Sequence, residues 1–174
     1  GLCSRGRRRG RSQGGWRTNA GLALAVDVQD AAGSQSVPEP RRIKNWVIHA
    51  LSRGALGEIT VRVVTEAEGS HLNEVYRHGV GPTNVLTFPA EFAVSDLVVD
   101  AVPLGDIVVC APVIEREANF QGIELDAYWA HMVIHGVLHL MGFDHQTSED
   151  AVIMEAREKE LLEGLGFTGL FYET

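Results

Sequence analysis

Three histidines stand four and then six positions apart in His135-Gly-Val-Leu-His139-Leu-Met-Gly142-Phe-Asp-His145, which the sequence writes HGVLHLMGFDH. On an α-helix, residues i and i+4 are neighbours on one face with Cβ atoms about 5–6 Å apart, so the imidazoles of His135 and His139 can converge on one ion. Each nitrogen would sit about 2.0–2.1 Å from zinc. A third ligand from the next helical turn would approach at the wrong angle, so the chain must leave the helix and fold back. Gly142 tolerates the left-handed conformation that ends a helix, and His145 three residues later can close the site. The bland reading is three packed core histidines. Burying three imidazoles without a shared partner strands donors and acceptors, and the reading adopted is a metal centre on His135, His139 and His145.

Three neutral ligands leave the double charge of the ion intact and one coordination position open. That is the pattern of a catalytic zinc, since structural sites are closed by four ligands. Such an ion lowers the pKa of bound water towards about 7, which points to hydrolysis. His131, one turn before His135, reads as a supporting or packed residue rather than a fourth ligand. The spacing also matches H-E-x-x-H-x-x-G-x-x-H of the metzincin peptidases, whose glutamate is the general base. Here that position is Gly136, so a peptidase would lack its proton acceptor. Asp144, beside His145, reads as a group bonding turn amides rather than as a catalyst.

These side chains need a scaffold, and the apolar periodicity supplies one. "LALAVDVQ" reads as a first strand and "EPRRIKNWVIHALSRG" as a helix with Ile43, Trp46, Val47 and Leu51 on one face, closed by Gly54. "EITVRVVT" alternates into a strand with Ile59, Val61 and Val63 on one side. "AEGSHLNEVYRH" is a short helix, "GVGPTN" a loop, and "VLTF" and "GDIVVC" are two further strands. Three helices follow, ended by Gly122, by Gly142 and by the Gly-Leu-Gly at 164–166, the last opened by a Thr147-Ser-Glu-Asp150 cap. The order βαβαββααα predicts a single α+β domain with a mixed sheet of about four strands and helices packed on it.

Composition bounds what such a domain can do. A chain of 174 residues supports one well-buried domain. It holds no run of about 18 uncharged apolar residues, the length a membrane-spanning helix needs. Two cysteines, Cys3 and Cys110, make no disulfide framework and fit a reducing cytoplasm. The net charge of −8 conceals an asymmetry: residues 1–17 carry six arginines and no acid, leaving nine basic against 23 acidic residues over 18–174. An acidic body repels nucleic acid unless basic side chains gather at one place. Residues 1–20 read as a disordered basic tail, with an RNA-grasping arm as one use for it, and 21–174 as the folded domain.

"HGVLHLMGFDH", preceded by "WAHMVI", resembles the signature of the YbeY family of single-strand-specific metallo-endoribonucleases, the rRNA maturation factors. "LNEVYR" at 72–77, "PTNVLTFP" at 82–89 and "LGDIVVC" at 104–110 agree in order, and the resemblance covers roughly residues 20–165. It implies one zinc ion per chain held by His135, His139 and His145, and the fold order read above. It also implies bacterial-type cytoplasmic work on RNA: maturing the 3′ end of small-subunit rRNA and removing defective ribosomes. The functional arginine of the family falls on Arg77. Two departures are Thr87, where relatives usually carry serine and the hydroxyl is kept, and Asn84, where aspartate is common and one negative charge is lost.

Arg77 also makes sense without the resemblance. Phosphodiester cleavage passes through a phosphorus centre of raised negative charge, and a guanidinium stabilises it in a bidentate way. His78 is a candidate phosphate contact. Thr83, Asn84 and Thr87 either bond ligand or hold their loop. Asp106 reads as a turn or supporting group rather than a ligand. The ion and Arg77 would form a local positive focus, with Arg62 and Arg116 as additions. The expected partners are single-stranded RNA and the small ribosomal subunit or its proteins, with no membrane and no DNA. Two alternatives stand beside this: a zinc peptidase-like hydrolase, and a non-enzymatic ribosome-associated factor with a structural metal.

Overall fold

The computed structural model describes residues 16–17, 23–51, 57–90 and 103–168. Its elements are β1 (Trp16–Arg17), β2 (Ala23–Asp30), α1 (Pro40–Ala50), β3 (Gly57–Val64), α2 (Glu66–Arg77), β4 (Val85–Pro89), β5 (Pro103–Cys110), α3 (Ala111–Gln121), α4 (Leu125–Leu140) and α5 (Ser148–Gly164). From β2 onward this is the βαβαββααα order that the residue patterns predict, and the class is α+β.

One mixed sheet runs β1-β2-β3-β5-β4. Four strands of five to eight residues carry it, and β1 adds two residues antiparallel to β2. Trp16 and Arg17 therefore belong to the sheet, although the sequence reading assigns them to the tail over 1–20; edge pairing with Leu24 and Ala23 orders a segment that hydropathy alone would leave out. The rest of that tail, Leu22 at the expected start of the first strand and Gly54 at the expected end of α1 lie outside the described residues. The first helix stops at Ala50, because Leu51 turns extended (φ −72°, ψ 129°) and enters the core.

Period-two burial explains how the sheet serves two cores. In β3, Ile59, Val61 and Val63 are fully buried on one face, as their alternation predicts. Their parallel neighbours in β5, Ile107 and Val109, continue that face. Val108 and Cys110 point the other way and pack with Leu72 of α2 and Leu86 and Phe88 of β4. The larger core lies under α1, α4 and α5, with Trp46, Trp129, Ile134, Met154 and Leu162 among its members. Each fully buried Val, Ile, Leu or Met side chain contributes about 1.5–3 kcal/mol.

Ten of the sixteen residues of α4 are buried, which a helix apolar nearly all round must be. Between His131 and Leu138 the only breaks in that burial are His131 and His135. The half-exposed stripe continues at His139, one turn on. Packing the rest of α4 into the core thus aims three histidines out of one side of it. No helix among the described residues is long and apolar enough to cross a membrane.

Candidate metal centre

The turn after α4 decides whether a third histidine can reach the first two. Gly142 adopts φ +98°, a conformation that costs a side-chain-bearing residue strain. Around it the Phe143 N–H donates to the Leu138 carbonyl at 3.0 Å and the Gly142 N–H to the His139 carbonyl at 3.1 Å. This pair of bonds is the Schellman arrangement, which turns the chain sharply back at a glycine. The Asp144 carboxylate then accepts from the His145 N–H at 2.7 Å, the turn-bonding role its position suggests. Folded back in this way, His145 joins the helix histidines.

His135, His139 and His145 each offer a ring nitrogen, and the three atoms lie within 4.8 Å of one another. The Nε2 atoms of His135 and His139 are 3.0 Å apart. The His145 ring centroid lies 5.5 Å from that of His135 and 4.9 Å from that of His139. Two imidazole nitrogens at hydrogen-bond distance with a third beside them suit a divalent cation, which needs them neutral and deprotonated. Burial, and after it the neighbouring His135 and His145, pushes the pKa of His139 below its ordinary value, favouring that neutral form.

A carboxylate that the sequence reading does not single out stands behind the triad. Glu158 of α5 is 5% exposed. Its Oε1 lies 2.6 Å from His135 Nδ1, and its Oε2 lies 2.6 Å from His131 Nε2. A carboxylate only accepts, so both ring nitrogens donate. Burial alone would raise the Glu158 carboxyl, yet the hydrogen bonds from His131 and His135 outweigh it and hold the pKa at about 2. The signal was present: Glu158 sits on the apolar stripe of α5 with Met154, Leu161 and Leu162, an acid where a hydrophobe belongs. His131 proves to be a supporting residue, since its Nε2 is committed to Glu158.

A cavity of about 640 Å³ opens on these groups, lined by His131, His135, His145, Glu158, Asn84 and Met132 among others. Asn84 is fixed there: its Nδ2 donates to Glu117 Oε2 at 3.0 Å, its Oδ1 accepts from the Val85 N–H at 2.7 Å, and Tyr128 donates to the same Glu117 oxygen. The loop-holding alternative for Asn84 therefore holds, and the residue faces the cavity as well.

The other residues singled out lie elsewhere on the scaffold. Arg77 ends α2, donates to the Thr87 carbonyl and stacks 5.4 Å from the centre of the Phe88 ring. Thr87 thus meets Arg77 through its backbone, and pairs with Ile107 in the register of the α4 face. His78 is exposed and caps α2 in the left-handed conformation, with φ 55°. Thr83 is half-buried in the loop before Asn84. None of Arg77, His78, Thr83 and Thr87 lines the cavity at the histidines. Asp106 is in β5 beside Arg62, Glu68 and Val108, on the face turned away from the histidines. Arg62 and Arg116 add no free positive charge, because Arg62 pairs with Glu68 at 2.6 Å and Arg116 with Glu66.

Comparison with known proteins gives a consistent picture. The family model described as Endoribonuclease YbeY matches residues 28–166, a span that includes the triad, Arg77 and Glu158. The Endoribonuclease YbeY of Pseudomonas syringae pv. syringae is 49% identical over 145 residues, which is 83% of this chain and 86% of that protein. The Endoribonuclease YbeY of Nitrosococcus oceani is 46% identical over 147 residues, 84% of this chain and 95% of the other. Among solved structures, the solution structure of TM1509 from Thermotoga maritima shares the fold with a TM-score of 0.50 at 22% identity, covering 85% of this chain and 96% of that one.

Proposed function

The chain belongs to the endoribonuclease YbeY family, and from that premise we propose that it is a single-strand-specific, zinc-dependent endoribonuclease. The observation that carries the reading is the convergence of three imidazole nitrogens, from His135, His139 and His145, with Gly136 where a peptidase would hold its base. Nitrogen-only ligation of this kind suits zinc and leaves room for an oxygen ligand. Bound there, the ion supplies Lewis acidity towards a phosphate oxygen and an acidified water.

The chain itself supplies position and charge. Arg77 spends one N–H group on the Thr87 carbonyl and keeps further donors of its planar fork for a phosphate. With Arg62 and Arg116 of an otherwise acidic body neutralised by Glu68 and Glu66, contact with the phosphate is assigned to the ion and, from outside the cavity lining at the histidines, to Arg77. Such a surface binds RNA weakly without help. Presentation of the substrate by the small ribosomal subunit, in the cytoplasm, follows as part of the proposal, and so do 3′-end maturation of its rRNA and removal of defective ribosomes. His78, Thr83 and Thr87 are proposed to steady the strand near Arg77.

The test is cleavage of a labelled single-stranded RNA and of its duplex form by protein of measured zinc content. Cleavage of the single strand alone, abolished in a folded His139→Ala protein, is the expected result. Zinc-independent cleavage, or peptide hydrolysis without RNA cleavage, would overturn the reading. The end groups separate two routes: a 2′,3′-cyclic phosphate marks attack by the 2′-hydroxyl, and a 5′-phosphate paired with a 3′-hydroxyl marks attack by water.

A further inference from the structure

We infer that Glu158 is a positioning residue that locks His135 into the tautomer presenting Nε2 to the metal, with His131 as the second anchor of the carboxylate. The inference rests on His135 being a metal ligand, as proposed above.

Three observations carry it. First, both carboxylate oxygens are used, one by each imidazole, at 2.6 Å. His131 and His135 are one helical turn apart on α4, so a single bidentate carboxylate on α5 clamps the pair from the side. Second, the nitrogen of His135 that Glu158 takes is Nδ1, while the nitrogen turned towards His139 is Nε2. An imidazole that donates through Nδ1 keeps its lone pair on Nε2. Third, Glu158 is held in place by its own helix. Met154 and Leu162 are 1% exposed and Leu161 is 5% exposed, and the Thr147 hydroxyl caps the start of α5.

A charge at this depth is a poor choice for packing alone, because a buried carboxylate loses hydration and an apolar residue would fill the stripe. Two donors that must be oriented are a reason to keep it. Supporting carboxylates of this type set the ring orientation and basicity of ligating histidines, and their loss weakens metal binding by about 10–100-fold. His131 accordingly completes the clamp and does not serve as a fourth ligand.

The experiment measures zinc affinity of the full chain by competition with a chromophoric chelator, for the parent, Glu158→Gln and His139→Ala. In parallel, nitrogen-15 NMR of the imidazoles of zinc-free parent protein reads the tautomer of His135. The expected results are a loss of about 10–100-fold in Glu158→Gln and a hydrogen on Nδ1 of His135 in the parent. Parent-like affinity in folded Glu158→Gln, or a hydrogen on Nε2 of His135, would overturn the inference. Because the tautomer is read in the parent, the test survives a variant that fails to fold. Tight zinc binding by His139→Ala would instead sink the metal-site reading beneath it.

Discussion

Gly136 backs directly onto Ile107: a Cβ built on the glycine would lie 2.8 Å from Ile107 Cγ2. His135 and Gly136 are consecutive, yet one faces the cavity and the other presses α4 against β5. A glutamate at 136 would therefore point into the sheet and not towards the triad. The absent general base is a matter of close packing against β5 as well as of residue type. Gly136→Ala is expected to cost about 1–3 kcal/mol of stability through overpacking, read as a lower urea midpoint. Gly136→Glu should lose stability and gain no peptide hydrolysis. A stable Gly136→Glu protein that digests casein would show that the packing argument is wrong.

Zinc should stabilise a protein that is already folded. The triad lies on the half-exposed side of α4, while the opposite sides of that helix are packed in the main core. On this packing the core, and not the metal, is expected to carry the fold. At free zinc about 100 times the dissociation constant, binding contributes about 2.7 kcal/mol, and for a domain of this size that is a rise in Tm of roughly 5–10 °C. Differential scanning calorimetry with and without EDTA checks it. His139→Ala should show no zinc-dependent shift. Outright unfolding of the EDTA-treated protein would favour the reading in which the metal is structural.

How much of this was legible follows from sequence distance. The triad spans eleven residues, and helical period plus one glycine suffices to bring it together. The cap at Thr147 and the alternation in β3 are equally local, and both stand in the structure. Glu158 comes from another helix, twenty-three residues beyond His135, and periodicity does not report which helix packs on which. Its place on an apolar stripe was the available hint. The pairing of Arg62 with Glu68 and of Arg116 with Glu66 was hidden for a related reason: composition counts charges, and only the fold neutralises them. Trp16 and Arg17 show the remaining limit, since two residues carry no period and are ordered by the edge of β2.

Gly142 is expected to matter for the metal more than for the core. A Cβ there would touch nothing within 4 Å, so steric crowding is not its constraint. The constraint is φ +98°. Gly142→Ala should cost about 1–2 kcal/mol of backbone strain, and relief of that strain moves the turn that carries His145. Zinc competition should show weaker binding in this variant, and urea denaturation a modest loss of stability. Unchanged zinc affinity would mean that His145 reaches the site without this turn.

Arg77 offers a test in which charge and geometry separate. Its guanidinium donates to the Thr87 carbonyl and stacks on Phe88, so the side chain is already oriented at the β4 edge. A lysine keeps the charge but loses the planar fork. If the role is bidentate contact with phosphate, Arg77→Lys and Arg77→Ala should both lower kcat/KM for RNA cleavage, by about 10²–10³-fold for the alanine. Neither change touches the histidines, so zinc affinity should be unchanged in both. The carbonyl of Thr87 would lose its side-chain donor at a solvent-exposed position, and stability should fall by no more than about 1 kcal/mol. Recovery of most of the activity by lysine would reduce Arg77 to a point charge. Full activity in Arg77→Ala would remove it from the site altogether.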